Sequence, residues 1–165
     1  MTMEIQQLMW LLEELADTFR SAVFEKGDVD AALACLTEDC SLTHVPTGAG
    51  GTGLDEIRRH LDVVVATLPA DLAFRRVTRT SDQRRVVDES TVSFVHDRPL
   101  PWLLPGVEPS GRRAEVTAMS VVSVQHRSRL GRTTSLIKSH RTLWDHSGLL
   151  ARLGTIDHRE PLAPG

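Results

Sequence analysis

Tyrosine is absent from the chain, and other aromatic residues are scarce, with four phenylalanines and three tryptophans in 165 residues. No tyrosine hydroxyl can therefore serve as a catalytic acid or as a donor to an oxyanion. Only two cysteines occur, Cys35 and Cys40, and their spacing does not match a metal-ligand motif. Cys35 falls in an apolar helical stretch, where a small buried thiol is the expected role.

The sequence also lacks an excess of basic residues and any long apolar run. Lys and Arg total 19 against 22 Asp and Glu, a net charge of −3, which argues against a general nucleic-acid-binding protein. No apolar run approaches the ~18 residues that span a bilayer. The N-terminal segment has no basic region of the kind that begins a signal peptide. We therefore expect no nucleic-acid partner, no membrane partner and a cytoplasmic location.

Motifs for a bound metal or cofactor are missing as well. The sequence contains no HExxH, no CxxC and no pair of carboxylates at ligand spacing, so no metal is expected. The glycine-rich stretch 48–53 lacks the lysine of a phosphate-binding loop, and no cofactor is predicted. What remains is the composition of a globular protein, with 41% hydrophobic and 25% charged residues. The length predicts one domain over residues 1–165.

Hydrophobic periodicity predicts helices first and strands afterwards. The helical segments are 5–26, 29–36 and 54–67, with a short strand at 40–44 between the last two. Four glycines in the segment 45–53 argue against a packed element there. Alternating patterns then predict strands at 72–80, 84–96, 114–124 and 133–144, followed by a short helix at 147–153. Helices before an antiparallel meander predict an α+β fold, in which helices cover a curved sheet and leave a concave cavity for a small ligand.

Four strings carry a resemblance to a known family. They are FRSAVFEKGDVDAALACLTEDCSL, VPTGAGGTGLDEIRRHL, STVSFVHDRPLPWLLPGVEPSGRRAEV and LWDHSGLLARLG, which together cover roughly residues 18–157. In these strings the chain resembles the NTF2-like superfamily, in particular its SnoaL-like branch of polyketide cyclase-like and ketosteroid isomerase-like proteins. The resemblance implies a cone-shaped α+β barrel, with three N-terminal helices on a curved, mostly antiparallel sheet, an apolar pocket and usually a dimer. Members include isomerases, cyclases, dehydratases, epoxide hydrolases and non-catalytic binding proteins, so the fold alone does not select a function.

Four residues are candidates for catalysis. The resemblance places His44 where ketosteroid isomerases carry a carboxylate base, and a histidine there could shuttle a proton near neutral pH. The alternative is a half-buried histidine bonded to the glycine loop. His140 shares a strand face with Thr142 and Trp144, as a second proton-transfer group or a pocket-lining donor.

The other two catalytic candidates, His96 and Asp97, end the second long strand. Neighbours on a strand point to opposite faces, so they cannot form a dyad with each other. Either could face the pocket, and the alternative is that one of them caps the proline-rich segment 99–109 that follows.

Four further residues are predicted to bind the substrate: Trp102, Leu104, Trp144 and Ser120. Trp102 lies between prolines, either as a lid over the pocket mouth or packed against the sheet. His60, on the third helix, is expected to be exposed.

These residues predict a cofactor-independent enzyme that uses general acid–base chemistry on a small apolar molecule. The reaction would be of the isomerase, cyclase or dehydratase type, as in natural-product tailoring. One alternative is a non-catalytic protein that binds a small ligand or stabilises a partner. Another is an epoxide hydrolase, ranked lower because that chemistry needs an Asp-Arg-Asp trio and Arg141 lies on the opposite strand face from His140. Strand 114–124 is apolar on both faces, which predicts a homodimer through the outer face of the meander.

Overall fold

Four helices and six strands make up residues 4–154, the part of the chain that the computed structural model describes. The helices are α1 (Ile5–Phe24), α2 (Val29–Leu33), α3 (Leu54–Thr67) and α4 (His146–Arg152). The strands are β1 (Leu36–His44), β2 (Ala49–Thr52), β3 (Ala73–Ser81), β4 (Arg85–Val95), β5 (Arg113–Arg129) and β6 (Arg132–Trp144). The two ends of the predicted domain, residues 1 and 165, lie outside the described residues.

The six strands form one curved sheet in the order β2-β1-β6-β5-β4-β3. Among these strands, only β1 and β6 run parallel to each other. Strand β1 follows the first two helices and lies beside β6, the last strand of the meander. The edge strands β2 and β3 do not pair, so the sheet stays open rather than closing into a complete barrel. The predicted α+β class, with helices on a curved and mostly antiparallel sheet, is confirmed.

The prediction that the glycine-rich segment holds no packed element is wrong, because residues 49–52 form β2 against β1. Gly50 has a φ of +134°, and a Cβ atom there would lie 1.9 Å from the carbonyl oxygen of Leu42. At Gly51 a Cβ atom would lie 2.7 Å from the Cβ of Glu56 on α3. The glycines thus let β2 fit between β1 and α3, where any side chain would clash.

The core lies between the helices and the concave face of the sheet. Both long helices are amphipathic, and α1 buries Leu12, Phe19 and Val23 in this layer. Alternate residues of the strands meet them, as with Val86 and Phe94 on β4, both fully buried. Cys35 and Cys40 are buried free thiols, as expected for Cys35.

The segment between β4 and β5 packs into this core through four buried side chains. They are Leu100, Trp102, Leu103 and Leu104, none more than 6% exposed. None of the helices in the described part of the chain combines the length and apolar character that crossing a bilayer requires.

Candidate active site

A cavity of about 90 Å³ lies between α1, the concave face of the sheet and the proline-rich segment. Its wall is mostly apolar, with side chains such as Phe19, Phe24, Phe74, Val92 and Val116. The polar residues in the wall are Arg20, His44, Asp88, Ser90, Ser120, His140 and Thr142. A mostly apolar pocket with a few convergent polar groups is the usual form of a small-molecule site.

Four of these polar residues lie in one row across the sheet. The register pairs Asp88 of β4 with Ser120 of β5. It then pairs Ser120 with Thr142 of β6, and Thr142 with His44 of β1. Neighbouring strands lie about 4.8 Å apart, so the backbones of Asp88 and His44 are separated by three such steps, about 14 Å. The row places a carboxylate near one end of the cavity and an imidazole at the other.

His44 is held in a dry setting at its end of the row. The residue is 7% exposed, and its ring centroid lies 5.5 Å from that of Trp102 and 5.9 Å from that of Trp144. Its Nε2 atom lies 3.0 Å from Nε2 of His60 on α3. Its Nδ1 atom is buried without a hydrogen-bond partner among the described residues.

Burial lowers the pKa of His44 to about 3, with smaller contributions from His60 and His140. The imidazole is therefore neutral at pH 7 and carries one N–H. When Nε2 donates that proton to His60, the lone pair of Nδ1 is left without a hydrogen-bond donor. The expectation of a histidine with an ordinary pKa is thus corrected: burial makes His44 a neutral imidazole in a desolvated site.

His140 lines the cavity one strand away, as a second neutral imidazole. Burial lowers its pKa to about 4; the nearby Asp88 carboxylate acts in the opposite direction, and Arg20 adds to the lowering. Its ring packs 5.2 Å from that of Phe19, and its Nδ1 atom has no partner among the described residues. A neutral imidazole can donate one hydrogen bond to a substrate oxygen without carrying a charge.

Asp88 is a buried carboxylate of the cavity wall that the sequence analysis did not single out. Arg79 of β3 binds both its oxygens, with Nε at 2.6 Å and Nη2 at 2.8 Å. The same guanidinium binds Asp17 of α1 at 2.7 Å and 3.1 Å. Arg79 and Asp88 are cross-strand partners in the register, so correct pairing of the two strands was the signal that would have found them.

Replacing Arg79 by methionine is expected to lower the free energy of unfolding by about 2–3 kcal/mol. The substitution removes both short hydrogen bonds to the Asp88 carboxylate and leaves Arg76, whose Nε lies 3.5 Å from it, as a weaker partner. Loss of one partner of a buried pair costs roughly 3–5 kcal/mol. The expected value is smaller because the Arg79 side chain is 13% exposed. Urea unfolding measures the change, and Arg75→Met on the exposed side of the same strand is the control. Equal losses in the two variants would show that the Arg79–Asp88 pair does not stabilise the fold.

Five of the eight predicted site residues line the cavity together: His44, His140, Trp102, Trp144 and Ser120. Trp102 is packed rather than free, since its Nε1 donates to Thr67 Oγ1 at 3.1 Å and its carbonyl accepts from Thr47 Oγ1 at 3.1 Å. Trp102 therefore packs against the end of α3 and the turn after β1 while lining the cavity, and its role toward a substrate stays a prediction.

Leu104, His96 and Asp97 do not line the cavity. Leu104 is 1% exposed in the core. His96 closes the base of the proline-rich segment, where its backbone N–H donates to Arg112 O and its Nδ1 accepts from Ser110 N at 3.3 Å. Burial lowers the pKa of its imidazole. The alternative of a loop cap is the one observed for His96.

Asp97 points to the surface and pairs with the Arg98 guanidinium at 2.9 Å. This hydrogen bond holds the pKa of the carboxyl below its usual range. Strand regularity ends at Val95, which is why parity could not place either residue.

His60 is the residue whose position the sequence analysis misjudged most. It was expected to be exposed, but it is half-buried and faces His44. Burial also lowers the pKa of its imidazole. Within residues 4–154, no three His, Cys, Asp or Glu side chains come close enough together to hold a metal ion.

Comparison with known proteins agrees with this architecture. Residues 16–130 match the SnoaL-like domain, and the chain belongs to that family. No protein of curated function matches the sequence significantly.

Three solved structures illustrate the shared fold. A candidate SnoaL-like polyketide cyclase from Jannaschia sp. CCS1 superposes with a TM-score of 0.68 at 15% identity, over 94% of this chain and 100% of that one. A protein from Catenulispora acidiphila with a ketosteroid isomerase-like fold, solved with trimethylamine, gives 0.62 at 15% identity, over 90% and 98%. SalBIII, an epoxide hydrolase/cyclase-like enzyme of pyran ring formation in salinomycin, gives 0.56 at 20% identity, over 84% and 93%. At these identities the likeness is one of fold.

Proposed function

We propose that the protein is a cofactor-independent enzyme that moves a proton on a small apolar molecule, as an isomerase, cyclase or dehydratase of natural-product tailoring. The observation that carries the proposal is the neutral, buried imidazole of His44, with an unpartnered Nδ1, in the wall of an apolar cavity. Such an imidazole is unprotonated at neutral pH and meets its substrate without competing water.

In this mechanism His44 Nδ1 takes a proton from a carbon or hydroxyl of the bound molecule. The negative charge that develops on a substrate oxygen is met by N–H of the neutral His140, or by the hydroxyls of Ser120 and Thr142 along the same row. The proton then returns to a different atom or leaves, which completes an isomerisation, a ring closure or a dehydration. The apolar wall orients the rest of the molecule.

The test is a panel of small apolar compounds of three kinds: β,γ-unsaturated ketones, β-hydroxy ketones and epoxides. Proton NMR in D₂O follows migration of a double bond, loss of water, ring closure or diol formation. We expect turnover in at least one ketone class, and its loss in His44→Gln, which keeps the volume of the side chain. Turnover that is equal in the wild type and in His44→Gln would overturn the proposal.

Binding without turnover would instead support the non-catalytic alternative. Of the three tryptophans, Trp102 and Trp144 line the cavity and Trp10 is 61% exposed. In a Trp10→Phe background, the remaining fluorescence therefore comes from the cavity alone. Saturable quenching by a compound that is never converted would identify a binding protein.

Epoxide hydrolysis is the second candidate reaction, and one observation favours it. Arg79 lies between two carboxylates, those of Asp17 and Asp88, in an Asp-Arg-Asp trio that the sequence analysis did not find. Only Asp88 of the three lines the cavity, which is why this reaction ranks second. Diol formation from the epoxides that is lost in Asp88→Asn but kept in His44→Gln would place it first.

We further propose a homodimer through the outer face of the meander. Met119 is 44% exposed, also borders the cavity and pairs across the sheet with Leu143. Val121, two residues along the strand, pairs with Val87. These four apolar residues are adjacent on the outer face, with Glu89 beside Met119 and Arg141 beside Val121.

Light scattering at micromolar concentration is expected to give twice the mass of the chain. Val121→Lys places a charge among these four apolar residues and is expected to give the monomer mass. A monomeric wild type would contradict the dimer.

A further inference from the structure

The imidazole rings of His44 and His60 are in contact, with His44 in the wall of the cavity and His60 on α3. Their Nε2 atoms lie 3.0 Å apart, and their ring centroids 5.0 Å. His44 is 7% exposed, whereas His60 is half-buried. Among the described residues, the Nδ1 atom of His60 is neither hydrogen-bonded nor fully buried. Each ring therefore has its Nε2 atom toward the other ring. The Nδ1 atom of His44, a residue of the cavity wall, is buried, whereas the Nδ1 atom of His60 is partly accessible.

Burial lowers the pKa of His60, and no charged side chain among the described residues adds to or opposes that shift. Helix α3 packs against α1, α2, β1 and β2. Two charged side chains of α3 have partners elsewhere: Arg58 binds Asp30 of α2 at 2.7 Å, and Glu56 accepts from the backbone N–H of Thr52 at 2.8 Å. Within residues 4–154, His44 is the only hydrogen-bond partner of the His60 ring. A half-buried imidazole whose single polar contact is another imidazole has an arrangement that permits proton transfer between the rings.

We propose that His60 relays protons between His44 and water outside α3. His60 is then a positioning and relay residue that acts through His44 and does not touch the substrate. The inference rests on the proposed function, because a base that is buried in a dry cavity needs a route by which to exchange its proton with solvent.

The transfer balances with N–H bonds alone. At the start His44 carries its proton on Nε2 and donates it to the bare Nε2 of His60, which carries its own proton on Nδ1. When His44 Nδ1 accepts a proton from the cavity, the Nε2–H bond of His44 breaks and an Nε2–H bond forms on His60. His60 then releases its Nδ1 proton to water. Both rings end neutral with their tautomers exchanged, and the reverse sequence restores them.

The test measures how fast the imidazole N–H of His44 exchanges with water, so it needs no substrate. Protein labelled with ¹⁵N-histidine is studied by saturation transfer from water in the wild type and in His60→Gln. A glutamine amide can hydrogen-bond to His44 but cannot pass a proton on. The relay predicts that exchange slows by about tenfold or more in His60→Gln. The control, His126→Gln on β5, is expected to leave the rate unchanged.

A purely structural role for His60 makes the opposite prediction. In that case the substitution would only loosen the His44 ring, and exchange of its N–H with water would be as fast as in the wild type or faster. Either result in folded His60→Gln overturns the relay. If that variant does not fold, as judged by circular dichroism, His60→Phe takes its place with the same two outcomes. Failure of the relay is distinguishable from failure of the proposed function, because the latter is decided by turnover in His44→Gln and not by N–H exchange.

Discussion

Replacing His44 by glutamine is expected to lower kcat by ~10²-fold or more, with a smaller change in KM. In the proposed mechanism the side chain transfers a proton in the transition state, and the substitution leaves the apolar wall of the cavity in place. Glutamine is preferred to alanine because His44 packs against Trp102 and Trp144, and truncation would leave a void. Asp97→Asn is the control, since Asp97 lies at the surface and its loss is expected to leave kcat unchanged.

The pH profile of the same reaction carries a second signature of His44. Because burial lowers the pKa of His44 to about 3, the base is unprotonated throughout the range from pH 5 to 8. No limb in kcat near the ~6.5 of an ordinary histidine is expected from it. A limb near pH 6.5 that disappears in His44→Gln would contradict the buried, neutral state of this base.

Acid is expected to destabilise the protein well above the pH at which carboxylates titrate. Burial lowers the pKa of His44 to about 3 and that of His140 to about 4, while both are ~6.5 in the unfolded chain. Below pH ~6.5 the unfolded state therefore binds protons that the folded state rejects, and stability falls as the pH falls. The stability is complete above ~6.5, and its loss continues down to the folded pKa values. Each histidine contributes about 1.4 kcal/mol per pH unit, so about 4 kcal/mol is lost between pH 7 and pH 5 for the pair.

Urea unfolding at pH 7, 6 and 5 measures this loss. The double variant His44→Gln/His140→Gln is expected to remove most of the slope in that range. A smaller pH dependence of the stability is expected to remain in the double variant, because burial also lowers the pKa of His60 and of His96. A wild-type stability that is flat between pH 7 and pH 5 would show that the two cavity histidines are not buried as neutral groups.

Local patterns in the sequence predicted the architecture well. The 3.6-residue period predicted α3 with its observed bounds of 54 and 67. The change to a period of 2 predicted the four strands of the meander. The glycine segment was misjudged because glycine is read as a breaker. Its ability to let two backbones approach closely, as at Gly50, depends on a partner strand that the local sequence does not reveal.

The site was predictable where strand parity applied and not where it depended on contacts between elements. Parity placed His140 and Trp144 on the cavity face of β6. The contact of His60 with His44 depends on how α3 lies across β1, and the Arg79–Asp88 pair depends on strand register. The residues next to these positions in the sequence do not reveal either contact. His96 and Asp97 lie just beyond the regular part of β4, so parity could not be extended to them.

The central claim is that His44 is a neutral base whose Nδ1 meets whatever occupies the cavity. The most direct measurement is the ¹⁵N chemical shift of the His44 ring at pH 7, with and without an apolar phenol that quenches the cavity tryptophans of Trp10→Phe protein. The account predicts an unprotonated Nδ1 in the free protein and a shift toward a hydrogen-bonded nitrogen when the phenol binds. A protonated ring in the free protein, or an Nδ1 resonance that does not move while the tryptophan signal saturates, would contradict it.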